Sequence, residues 1–106
     1  MTVPTLKVLA ALMRAERIEL SGAEIARETR LLSGTTYPIL MRLEQLGWLD
    51  SRWEDGDPHA LGRPRRRFYR ITALGEKRAK AAVKSLQSTF RKLAWSRRLA
   101  WSWRLA

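Results

Sequence analysis

At 106 residues the chain has room for one domain with a small core, so part of its apolar surface stays unburied in a monomer and dimerisation is a natural supplement. It has no cysteine and one histidine, His59 in a turn-like segment, which excludes a disulfide framework and thiolate metal sites and leaves no metal or cofactor expected. Residues 1–61 hold seven basic and nine acidic side chains while residues 62–106 hold fourteen basic and one acidic, a concentration that suits a polyanion, whether nucleic acid or an anionic membrane.

Residues Thr5 to Ala15 place Leu6, Leu9 and Met13 on one row, with Val8 and Leu12 on the next, which predicts a helix buried over a broad face. Lys7, Arg14 and Glu16 interrupt this segment too often for a secretory signal, and no apolar stretch is long enough to span a bilayer. The chain is expected to be cytoplasmic, with no membrane partner. After a connection over residues 16–20, Ser21-Gly22-Ala23-Glu24 has the form of a capping box opening a short helix to about Thr29.

A turn over residues 30–34 leads to a third helix, capped by Ser33, Thr35 or Thr36 and stopped at Gly47 as a left-handed cap. Pro38 is tolerated only in a first turn, so regular helix should begin near Thr35 or Thr36. Ile39, Leu40, Leu43 and Leu46 then face inward, and Thr35, Thr36, Tyr37, Met41, Arg42 and Gln45 outward. Residues 48–54 and 66–72 read as two strands with Tyr69 and Ile71 toward the core. The connection between them, with Gly56, Pro58, Gly62 and Pro64, reads as extended.

Thr72 can cap a last helix running from Ala73 through at least Leu93, with Ala79, Val83, Leu86, Phe90 and Leu93 spaced as a heptad-like seam. A six-residue repeat follows, Leu93-Ala94-Trp95-Ser96-Arg97-Arg98 and then Leu99 to Arg104. That period places equivalent positions on no common helical face, so helical order is expected to pass Trp95 and to decay before the end.

The second and third helices read as a helix-turn-helix, and the basic loop with its flanking strands as a wing. The outward face offers Ser33, Thr35, Thr36, Tyr37 and Pro38 where a recognition helix meets base edges and phosphates, with Arg42 able to pair with guanine and Gln45 with adenine. In the wing, Gly62-Arg63-Pro64 is a narrow backbone fit to lead an arginine into a minor groove, followed by Arg65 and Arg66. No nucleophile paired with histidine and no phosphate-cradling glycine loop is present, so no catalytic activity is expected.

The run Gly34 to Gly47, with Gly62-Arg63-Pro64, Tyr69-Arg70-Ile71-Thr72 and Gly75, resembles the PadR family of bacterial winged-helix transcriptional regulators over roughly residues 6–90. The resemblance implies a mainly α fold with a small β-hairpin, a winged helix-turn-helix over 1–72 and a long C-terminal helix with a Trp/Arg-rich tail over 73–106, as in the short subfamily. It implies a homodimer on an inverted-repeat operator in double-stranded DNA, usually a repressor, with Thr35, Thr36, Tyr37 and Arg63 in contact. Leu6, Leu9 and Met13 of the first helix and Val83, Leu86, Phe90 and Leu93 of the last are the expected dimer contacts. A small aromatic effector is expected beside Phe90 and Trp95 at the end of the seam. The repeat departs from the family pattern. The rival function is an architectural, sequence-tolerant DNA binder in which the basic half does most of the work.

Overall fold

The computed structural model describes the backbone of residues 1–105 and the side chains of residues 1–97. Helix α1 (Val3–Arg14) opens on Thr2, whose hydroxyl accepts the Thr5 N–H at 3.4 Å, with Pro4 in the first turn where no donor is required. Strand β1 (Leu20–Ser21) follows, then α2 (Gly22–Thr29) and α3 (Ser33–Gln45). The capping box forms as the sequence indicates: Ser21 Oγ accepts the Glu24 N–H at 3.1 Å, and Glu24 Oε1 accepts the Ser21 N–H at 3.2 Å.

Strands β2 (Leu49–Trp53) and β3 (Arg67–Ile71) pair antiparallel, from Leu49 opposite Ile71 to Trp53 opposite Arg67. β1 adds to the other edge of β3, Leu20 opposite Tyr69 and Ser21 opposite Phe68, so the sheet runs β1-β3-β2. The connecting segment expected after α1 therefore contains a strand. Its two residues are too few to carry alternation, and they are strand only because β3 lies beside them.

Three helices and one sheet face enclose the core around Val8, Ile25, Leu40, Leu43, Leu49 and Tyr69. Leu9 belongs to it, only 1% exposed, which corrects its assignment to a dimer contact: the broad apolar face of α1 turns this residue toward its own domain. Leu6 is half-buried, and Met13 is exposed.

The loop between β2 and β3 is not extended throughout. Pro58–Leu61 makes one helical turn, α4, whose Asp57 side chain accepts the His59 N–H at 3.3 Å. Pro58 at its first position has the fixed φ a helix start requires.

Helix α5 (Ala73–Leu105) is continuous, so helical order does not decay within the repeat as expected; a break before Leu105 is absent. Thr72 caps it, Oγ1 accepting the Gly75 N–H at 3.0 Å and donating to the Gly47 carbonyl at 2.7 Å. Gly75 lies so close to the end of α3 that a Cβ there would strike the Trp48 carbonyl oxygen. Only a glycine lets α5 leave the domain at this angle. Ala79 is buried against the domain, and the helix then runs outward, giving a molecule 74 Å long and about 25 Å across.

Candidate nucleic-acid interface

Helix α3 begins two residues earlier than the sequence suggests. Leu32 stands at its N-cap with no side-chain cap, and the first turn carries no acidic residue, so the positive end of the helix dipole is uncompensated and open to solvent. Pro38 is thus the sixth helical residue and not part of the first turn. Proline there has no N–H to offer the Gly34 carbonyl four residues back, on a stretch exposed to water. Solvent can satisfy what the helix cannot.

Ser33, Thr35, Tyr37, Pro38, Arg42 and Gln45 are all exposed. At about 100° per residue, Pro38, Met41 and Gln45 form the outermost ridge with Gly34. Ser33 and Tyr37 lie on one flank, Thr35 and Arg42 on the other.

Thr36 is the exception and a correction. It is fully buried, its Oγ1 donating to the Leu32 carbonyl at 3.0 Å, so it packs under the helix start and is not on the outward face. A β-branched side chain with one self-satisfied hydroxyl suits that core position as well as a surface one, and sequence spacing alone did not separate them. Leu46 is corrected in the opposite direction: it is the C-cap, half exposed beside Trp48, because the helix stops before it. Gly47 adopts φ 76°, the left-handed conformation anticipated for the stop.

Tyr37 leans across the start of α2. A Cβ on Gly22 would lie 2.7 Å from Tyr37 Cε1 and 3.0 Å from its hydroxyl oxygen. Gly22 therefore sets the position of the tyrosine. Sequence reasoning placed Gly22 only in the capping box and missed this role, which the absence of a side chain at that helix position could have signalled.

The strands are bolted to α3 through Glu44, whose Oε1 accepts the Ser51 hydroxyl and, at 3.3 Å, Arg67 Nη2. Arg67 also stacks on Trp53 at 5.0 Å, and Arg52 on Phe68 at 5.1 Å while pairing with Glu19. Arg70 pairs with Asp50. Most arginines of the hairpin thus have acidic or aromatic partners.

The wing loop closes on Glu54. Its backbone N–H donates to the Arg66 carbonyl at 2.7 Å. Its carboxylate accepts Arg63 Nη1 at 2.6 Å, Arg63 Nη2 at 2.9 Å and the Arg66 N–H at 3.3 Å. The side chains are 18% exposed for Glu54 and 35% for Arg63. The Arg63 guanidinium, and secondly the Arg66 N–H, outweigh desolvation and hold the Glu54 carboxyl down at about 2. Arg63 is correspondingly raised above the ordinary arginine range. The arginine expected to lead into a groove is folded back instead on its own hairpin. Arg65 and Arg66 are exposed, and among the described residues neither side chain has a carboxylate partner.

On α5 the seam residues Val83, Leu86, Phe90 and Leu93 are 42–66% exposed. Trp95 does not continue them. Five residues of helix rotate by about 140°, so Trp95 diverges from Phe90 and lies in a shallow depression with Arg91, Lys92 and Ala94. Within one copy the two aromatics thus stand on different faces of the helix. Residues 98–106 of the repeat lie outside the described side chains. Among the described residues no His, Asp or Glu cluster suited to a metal occurs, and no helix is long and apolar enough to cross a membrane.

Three similar solved structures, each under 25% identical, share its fold. A PadR family transcriptional regulator from Eggerthella lenta aligns at 21% identity and a TM-score of 0.68, covering 85% of this chain and 77% of the other. A PadR family transcription regulator from hypervirulent Clostridium difficile aligns at 24% and 0.66, covering 92% and 99%. Bacillus subtilis PadR, solved in complex with operator DNA, aligns at 20% and 0.64, covering 78% of this chain and 48% of that one. No curated protein sequence matches. The family model for the transcriptional regulator PadR-like family matches residues 12–81, which takes in the last three residues of α1, the helix-turn-helix, the whole wing and the start of α5. On that match, and on a winged fold shared with solved family members, the chain belongs to the PadR-like family of transcriptional regulators.

Proposed function

We propose that the protein is a sequence-specific regulator that binds double-stranded DNA as a homodimer on an inverted-repeat operator and acts as a repressor. The observation that carries this reading is the start of α3: an uncapped, acid-free helix N-terminus displaying Ser33, Thr35, Tyr37 and Pro38, in the second helix of a helix-turn-helix. Arg42 and Gln45 extend the same exposed surface, and Arg65 and Arg66 of the wing supply unpaired positive charge. Bacillus subtilis PadR, a relative in fold, has been solved on operator DNA.

The dimer is proposed from the unpartnered seam on α5, joined by Leu6 and Met13 of α1. A small aromatic effector is proposed at Phe90 on the seam, with Trp95 on another face of the helix. The rival, an architectural DNA binder, draws on the basic half of the chain alone and reads no sequence.

Selection of bound duplexes from a random pool separates the two. A dimeric regulator yields a palindrome with half-sites about 34 Å apart, or a multiple of that spacing. A pool that shows no enriched sequence overturns the sequence-specific reading in favour of the architectural one.

A further inference from the structure

Of the arginines around the wing, Arg63 alone has its guanidinium clasped through both terminal nitrogens by a carboxylate on its own hairpin loop. That carboxylate, Glu54, also takes the Arg66 N–H, while the Glu54 N–H takes the Arg66 carbonyl. The backbone and the side chain of one residue thus close the same loop, and Arg63 braces it from within. Arg63 Nη1 reaches the Pro64 carbonyl as well, at 3.3 Å. Freeing Arg63 for a phosphate would leave a carboxylate that is only 18% exposed with a single hydrogen-bond donor, the Arg66 N–H. Keeping it costs nothing in reach, because Arg65 and Arg66 already stand exposed beyond it.

We propose that Glu54 is the positioning residue of the wing: it holds Arg63 as an internal strut, neutralised and not in contact with the duplex, so that loop 54–66 presents Arg65 and Arg66 to the DNA backbone. The proposal builds on the DNA-binding function proposed above and assigns a role within it. It divides the basic run by task. Arg65 and Arg66 supply the charge the duplex feels, and Arg63 supplies shape.

Removing a negative charge from a DNA-binding surface ordinarily tightens binding, whereas removing a strut weakens it, so the sign of one variant decides. Glu54→Gln should weaken duplex binding roughly tenfold, the factor one charge-assisted hydrogen bond supplies. Arg63→Gln should weaken it by the same factor, and the double variant by no more than either single. Arg65→Gln and Arg66→Gln should each lower the salt slope by about 0.9 per lost phosphate contact. Tighter or unchanged binding by Glu54→Gln, or additive losses in the double variant, would overturn the strut and make Arg63 a direct contact.

Amide hydrogen exchange in the free protein provides a readout independent of DNA. The Glu54 and Arg66 N–H groups should lose protection in both single variants while the α1 and α3 amides keep theirs; unchanged protection overturns the proposal. If the wild type binds no duplex at all, the functional proposal fails, and the exchange measurement still decides whether Glu54 orders the wing.

Discussion

Thr36 and Tyr37 are neighbours in sequence and opposites in the fold, one fully buried and the other exposed over Gly22. Their variants should separate accordingly. Thr36→Val keeps the shape and deletes a satisfied hydroxyl, so it should lower stability by about 0.5–1.5 kcal/mol in a denaturant titration. Tyr37→Ala should leave stability nearly unchanged and narrow the gap between operator and random DNA. Gly22→Ala tests the same tyrosine from below: the new methyl group displaces the ring, so the variant should fold and lose discrimination as Tyr37→Ala does. Full discrimination in Gly22→Ala would show that the tyrosine's placement does not matter. Glu54 offers a measurement by pH. Its carboxyl is held at about 2, against an ordinary 4.5, chiefly by the Arg63 guanidinium. A depressed carboxyl stabilises the fold above the ordinary value, and that contribution is lost as pH falls toward 2. Carboxyl NMR should therefore find Glu54 still ionised at pH 3.5, and in Arg63→Gln its midpoint should return toward the ordinary range.

Elements whose signals are local were legible in the sequence, and those made by distant partners were not. The α2 capping box is written in four consecutive residues, Ser21 to Glu24, and forms as read. β1 was missed because its two residues become a strand only beside Tyr69 and Phe68. The start of α3 was misplaced for the converse reason: Leu32 gives no capping signal, and Pro38 suggested a later start. In the wing the four closely spaced arginines were visible, but the partner of Arg63 lies nine positions away across a loop. Charge can be counted in a sequence; its neutralisation depends on the fold. Pro38 supplies a test at this scale. Pro38→Ala restores a donor to the Gly34 carbonyl and removes the ring from a helix interior, so it should raise thermal stability, by up to ~3 kcal/mol on helix-propensity grounds. A lower melting temperature would mean that the proline is needed for packing.

The whole molecule has two parts of different character, a packed winged domain and a helix that leaves it with its apolar seam uncovered. In the proposed dimer Phe90, 66% exposed in one copy, is buried by the other. Truncating a buried phenylalanine costs ~3–5 kcal/mol, so Phe90→Asp should give a monomer by light scattering at micromolar concentration and release the operator. A Phe90→Asp protein that stays dimeric would move the interface to α1.

Among the described side chains the seam ends at Leu93. Arg97 is one turn beyond Leu93 and seven residues beyond Phe90, so the next position on that line is an exposed guanidinium where another apolar side chain would stand. From Val83 to Leu93 the uncovered strip measures about 15 Å at ~1.5 Å per residue. A second copy sliding along it by one heptad would have to bury that charge, so the proposed pair has one register open to it. In the proposed dimer α5 would then act as a gauge: the end of the described apolar strip at Leu93 would set the distance between two reading heads, and so the number of base pairs between half-sites.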